Sequence, residues 1–165
     1  MTYLLDTNVI SELRKHSQAN SGVQEFLQTA IEQEARIYIS VITLGELRRG
    51  VELMRHRGDH LQANLLERWL QTVVDDYADH ILDFTITEAQ VWGSLCVPHS
   101  QNAIDKQLAA TALVYGLTLV TRNVRDFAGT GVPLSDILPT LTLRHSAGLL
   151  TSRSGIPAPR HLSRS

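Results

Sequence analysis

Tyr3-Leu4-Leu5-Asp6-Thr7-Asn8 is the stretch on which the fold turns. A short apolar run that stops on a carboxylate reads as a buried strand delivering a polar group to its carboxyl end. Further short runs read as strands at Arg36-Ile37-Tyr38-Ile39-Ser40, at Ile81-Leu82-Asp83-Phe84 and at Leu117-Thr118-Leu119-Val120-Thr121. Between these runs the apolar period lengthens to that of a helix. Gly22 to Glu34 carries Val23, Phe26, Leu27, Ala30 and Ile31 at helical spacing. Thr43 to about Arg57 reads as a helix with Thr43 as N-cap and Glu46 three residues on, the capping-box pattern. Asp59 to Val74 follows the Gly58 break, Thr87 to Cys96 is stopped by Pro98, and Ala103 to Tyr115 ends at Gly116. Val132-Pro133-Leu134 reads as a short edge strand. Strands alternating with helices predict an α/β fold whose central sheet is mainly parallel, with four to five strands and helices on its faces.

The 165 residues and 18.4 kDa suit one domain with a substantial core. Hydrophobic residues at 43% and charged residues at 19% are globular proportions, not those of a disordered chain. The net charge of −2 excludes a strongly basic nucleic-acid coat protein but not an enzyme acting on nucleic acid, where local charge matters more than the sum. Cys96, the single cysteine, excludes an internal disulfide and a multi-cysteine zinc site. The seven histidines have no zinc-type spacing. No signal peptide is visible, and the longest uncharged run, Gln107 to Thr121, has 15 residues against the roughly 20 a membrane helix needs. A soluble, cytoplasmic protein without membrane contact is expected.

The charge is unevenly spread. Residues 1–139 hold 11 basic and 17 acidic residues, whereas 140–165 hold Arg144, Arg153, Arg160 and Arg164 and no acid. Ser154-Gly155-Ile156-Pro157-Ala158-Pro159 is linker-like. A domain over 1–139 and a basic, poorly ordered tail over 140–165 are expected.

Several carboxylates do not fit a core. Asp6 stands where a parallel sheet places its sites, though Asp, Thr and Asn at 6–8 also suit a helix cap, and both readings are open. Glu46 shares a helical stripe with Ile42, Gly50 and Leu53 rather than the face bearing Arg48, Arg49, Glu52 and Arg55, so it leans inward. Its alternative is the capping box with Thr43. Asp105 falls on the apolar stripe of Leu108, Ala109 and Ala112, where a charge needs a partner or a metal. A first-turn role is its alternative. Asn123 and Asp126 follow the fourth strand, again at a carboxyl end, where an ordinary turn would also place them. Carboxylates meeting at one edge repel unless protonated or bridged by a cation, and an oxygen-only set suits Mg²⁺ or Mn²⁺.

At these residues the sequence resembles the PIN-domain ribonucleases, in particular VapC-type toxins of type II toxin–antitoxin modules. The resembling stretches are Leu4 to Glu12, Ile39 to Gly50, Asp105 to Ala112, and Leu119 to Asn123 continuing to Asp126-Phe127. They occur in family order over residues 3 to about 134, and the long insertion between Glu46 and Asp105 looks closest to the FitB-like branch. The resemblance implies a PIN-like three-layer α/β/α fold. Asp6, Glu46 and Asp105 match the family's metal-binding acids. The fourth position is Asn123, where members often have Asp, or Asp126, the acid three residues on. Here Asp126 is taken as the carboxylate and Asn123 as a water or metal contact. Thr7, Asn8 and Thr121 look like groups that orient the acids.

The implied activity is Mg²⁺- or Mn²⁺-dependent endoribonuclease cleavage, leaving a 5′-phosphate and a 3′-hydroxyl. Arg14, Lys15, Arg48, Arg49, Arg122 and Arg125 are candidates for RNA phosphate contacts. The resemblance also implies a homodimer and a VapB-type antitoxin, with a higher assembly on DNA through that antitoxin. In the family the region corresponding to Thr43 to Val74 helps form a groove for the antitoxin's C-terminal segment. Its apolar stripe, Leu53, Met54, Leu61, Leu65, Leu66, Trp69 and Leu70, would equally serve as core. One rival is a haloacid-dehalogenase-like phosphohydrolase, which would want an acid where Asn8 stands and has no use for the Glu46 motif. A receiver-like domain would need a late Lys, and the chain has only Lys15 and Lys106. A non-catalytic PIN-fold binding module is the remaining alternative.

Overall fold

A computed structural model describes residues 1–137. The tail expected over 140–165, and the last two residues of the domain expected over 1–139, lie outside them. Five strands form one parallel sheet: β1 (Thr2–Leu5), β2 (Arg36–Ser40), β3 (Ile81–Leu82), β4 (Thr118–Thr121) and β5 (Leu134–Asp136), in the order β3-β2-β1-β4-β5. The helices are α1 (Thr7–Leu13), α2 (Ser21–Glu32), α3 (Val41–His56), α4 (His60–Asp76), α5 (Ile86–Leu95) and α6 (Ala103–Tyr115).

Strand alternation divides the core in two. Leu5, Ile37, Ile39 and Val120 face one way, against Val9 and Ile10 of α1, Val23 and Phe26 of α2, Val51 of α3 and Leu70 and Val73 of α4. Leu4 and Leu119 face the other way, against Leu108, Ala109 and Ala112 of α6 and against Phe127. This is the α/β/α sandwich expected.

The chain leaves β1 for β2 in one direction, and β4 joins β1 from the other side. The order therefore reverses between β1 and β4, which opens a crevice at their carboxyl ends. Leu5 is paired with Val120, and the Asp6 N–H donates to the Val120 carbonyl at 3.0 Å, so Asp6 emerges beside Thr121.

Several boundaries differ from expectation. Ser40, not Thr43, caps α3; its hydroxyl accepts from the Ile42 N–H at 3.1 Å. The cap therefore lies three residues earlier, which puts Thr43 inside the helix, fully buried, with a hydroxyl that finds no partner among the described residues. The capping box forms elsewhere, at Thr85 and Glu88, where the Glu88 carboxylate accepts from the Thr85 N–H at 2.6 Å. The third strand stops at Leu82, and the edge strand lies at Leu134–Asp136 rather than 132–134, because Pro133 cannot donate to the ladder and only its carbonyl joins it.

Candidate functional site

Asp6 is 4% exposed, and its side chain does not cap α1. One carboxylate oxygen accepts instead from the Asn8 amide at 2.7 Å and from the Thr121 hydroxyl at 2.7 Å. The Thr121 hydroxyl itself accepts from the Asn123 N–H at 3.0 Å and from the Asn8 amide at 3.4 Å. A hydroxyl has one proton and two lone pairs, so with both acceptor positions used its proton is committed to Asp6. The Asn8 amide oxygen accepts from the Arg122 N–H at 3.3 Å, closing a ring of polar contacts between the end of β1 and the end of β4. Burial raises the Asp6 pKa above the usual carboxylate value, as does the nearby Glu46 charge. The Thr121 hydroxyl and the N–H groups of Thr7 and Asn8 pull against that rise.

Glu46, half-buried on α3, receives the Thr7 hydroxyl and so makes no capping box. Asp105 lies in the first turn of α6, half-buried. Its pKa is pushed up to about 6, first by burial and then by the charges of Asp6, Asp126 and Glu46. The expected carboxylates thus bear on one another across the crevice. Asp126 accepts from the Asn123 side-chain amide, so the two candidates for the fourth position are hydrogen-bonded to each other. As placed, no three carboxylates among the described residues close into a metal-ligating cluster.

The six candidate RNA contacts differ in their partners. Arg48 bonds Glu67 at 2.6 Å and sits 3.5 Å from Glu52, on the outer surface of α3 and α4. Arg14 lies over the Trp69 ring, 5.8 Å from its centroid. Lys15 and Arg122 both reach Glu12, at 2.5 and 3.1 Å. Arg49 and Arg125 are exposed. Glu12 was not singled out from the sequence, although its position three residues after Val9 and next to Leu13 places a carboxylate at the margin of an apolar face.

A groove of about 200 Å³ runs from Thr7 and Glu46 between α1, α3 and α4 to Met54, Leu66 and Trp69. The α3–α4 stripe divides along it. Leu70 is core, Leu66, Trp69 and Met54 line the groove, and Leu61 and Leu65 are exposed. The Trp69 indole N–H is buried and finds no acceptor among the described residues. No helix among them is long and apolar enough to cross a membrane.

Residues 3–132 match the PIN domain family. Toxin FitB of Neisseria gonorrhoeae is 36% identical over 135 residues, covering 78% of this chain and 93% of that protein. VapC ribonuclease Y4jK of Sinorhizobium fredii is 28% identical over 137 residues, covering 79% and 94%. The crystal structure of FitAcB from Neisseria gonorrhoeae superposes with a TM-score of 0.67 at 32% identity, covering 82% of this chain and 97% of that one. The match spans all four stretches that carry the acids of the crevice, and the chain belongs to the PIN-domain family.

Proposed function

We propose that the protein is a divalent-metal-dependent endoribonuclease and the toxin of a VapBC-like toxin–antitoxin pair. One observation carries the reading. Asp105 is held in the crevice against three other carboxylates, on Asp6, Glu46 and Asp126, and burial first, with their repulsion added, raises its pKa to about 6. A fold gains nothing in stability from such an arrangement, whereas a hard cation would relieve it. The donor set fits Mg²⁺ or Mn²⁺: oxygen only, with neither cysteine nor histidine among the crevice residues named above. Asp6, Glu46, Asp105 and Asp126 would hold the ion, with Asn123 at the rim. When bound, it supplies Lewis acidity toward a nonbridging phosphate oxygen and a water acidic enough to attack in line.

The remaining work falls to the chain. Thr121 and Asn8 fix the Asp6 carboxylate from two directions, and Thr7 does the same for Glu46. Such outer contacts hold ligands in a ready geometry. The exposed Arg49 and Arg125 remain the candidates for contacts to RNA phosphates. The relatives named toxin and ribonuclease support this reading over a phosphohydrolase or a binding module.

The groove is the antitoxin site in this reading. It would take an apolar segment over Met54, Leu66 and Trp69, a carbonyl for the Trp69 N–H, and a basic side chain at Glu46. A homodimer, and assembly on DNA through the antitoxin, belong to the same proposal. The test is cleavage of a synthetic single-stranded RNA with Mg²⁺ or Mn²⁺ by the wild-type protein and by Asp6→Ala. Metal-dependent cleavage by the first and none by the second is expected; equal cleavage by both overturns the assignment.

A further inference from the structure

Glu12 presents a carboxylate at the margin of the domain core, on a residue 7% exposed, near the end of a seven-residue helix. A carboxylate so placed is costly unless its oxygens are fully used. Here two hydrogen bonds and one further ion pair meet them. Oε2 accepts from the Asn20 N–H at 2.9 Å, in the connection to α2. Oε1 receives Lys15 at 2.5 Å, from just after α1, and is ion-paired with the Arg122 Nη1 at 3.1 Å, from the turn after β4. These donors hold the carboxyl below its usual pKa, Lys15 foremost, so it stays charged.

Only one of these partners leads to the crevice. Arg122 immediately follows Thr121, and its own N–H donates to the Asn8 amide oxygen at 3.3 Å. That bond orients the amide so that its nitrogen faces the Asp6 carboxylate at 2.7 Å. An amide flipped the other way would set its oxygen against Asp6 and repel it. Arg122 is therefore held at both ends, by its guanidinium on Glu12 and by its backbone on Asn8.

We infer that Glu12 is a positioning residue for the acid site: by pinning the Arg122 side chain it fixes the turn after β4, and through Asn8 it sets the orientation of Asp6. The inference rests on the proposed metal-dependent reading of that site. It also gives Lys15 and Arg122, read from the sequence as RNA contacts, a role as partners of Glu12 at the domain surface.

The test compares full-length wild type with Glu12→Gln, Arg122→Gln, Arg122→Lys and the double Glu12→Gln/Arg122→Gln. Glutamine keeps an acceptor for the Asn20 N–H and removes only the charge pairs. Mn²⁺ binding is titrated calorimetrically on the protein without RNA, and kcat and KM are measured on a short RNA. Glu12→Gln and Arg122→Gln should each weaken Mn²⁺ binding about tenfold and lower kcat more than they raise KM. Arg122→Lys should retain most of both. The double variant should be no worse than either single change, because both cut one connection. Wild-type Mn²⁺ affinity in Glu12→Gln, or effects that multiply in the double variant, would overturn the inference. A wild-type protein that neither binds Mn²⁺ nor cleaves RNA would instead overturn the metal-nuclease reading, and this inference with it. If Glu12→Gln fails to fold, the Arg122 pair decides: equal Mn²⁺ affinity in Arg122→Gln and wild type overturns the inference.

Discussion

Replacing Asp105 with asparagine should stabilise the metal-free protein while abolishing its activity. The Asp105 pKa of about 6 in the folded chain, against 3.8 for the free side chain, marks a carboxylate that the fold prefers protonated. Below pH 3.8 both states carry the proton, and the group costs nothing. As pH rises through that value the unfolded chain releases its proton while the folded one does not, so stability falls until the folded group ionises near pH 6. The full shift corresponds to about 3 kcal/mol at roughly 1.4 kcal/mol per pKa unit. Asp105 is only half-buried, so solvent screening reduces this to about 1.5 kcal/mol. Asparagine keeps the shape without the charge. With chelator present and protein concentration fixed, Asp105→Asn should therefore melt about 3–6 °C above wild type at pH 8. The gap should shrink by about half at pH 5. Adding Mn²⁺ should raise the wild-type melting temperature and leave the variant little changed, and RNA cleavage by the variant should be lost. A variant less stable than wild type at pH 8, or a gap that does not change with pH, would refute the view that the buried, acidic crevice disfavours the ionised Asp105.

Thr121→Val removes the hydroxyl proton committed to Asp6. The Asp6 pKa should then rise further, moving the acid limb of the cleavage pH profile upward and lowering kcat by about 10–100-fold; an unmoved profile would show that this donor is not tuning Asp6. Trp69→Ala should weaken antitoxin binding by about 2 kcal/mol or more in calorimetry while leaving RNA cleavage by the free toxin intact, since it empties the groove without touching the acids. Ser40→Ala should cost about 1 kcal/mol in chemical denaturation as the lost cap of α3. Thr43→Val should cost almost nothing or stabilise, because its buried hydroxyl satisfies no one; the opposite ranking would restore Thr43 as the cap.

Much of this protein is written in local pattern. Runs such as Tyr3-Leu4-Leu5 and Thr118-Leu119-Val120 are apolar on both faces, as strands buried under helices on both sides must be, and the intervening helical periods imply parallel order. Parallel order in turn sends Asp6 and Thr121 to the same edge, so their meeting there was legible in the sequence. Helix starts were less so. Ser40 and Thr43 both suit a cap, and only the path of the chain leaving β2 selects Ser40.

What each polar group does was settled by contacts distant in sequence. Asp6 could have capped its own helix. It bonds Thr121 because the pairing of Leu5 with Val120 brings that hydroxyl within 2.7 Å. Glu46 could have closed a box with Thr43, and Thr7 took it instead. Arg122 and Lys15 were candidates for RNA phosphates by charge alone, and packing sets Glu12 between them. Residue type and spacing determine which groups arrive at an edge, because strand and helix periods are local. Which donor meets which acceptor there depends on register and packing between segments that spacing does not encode.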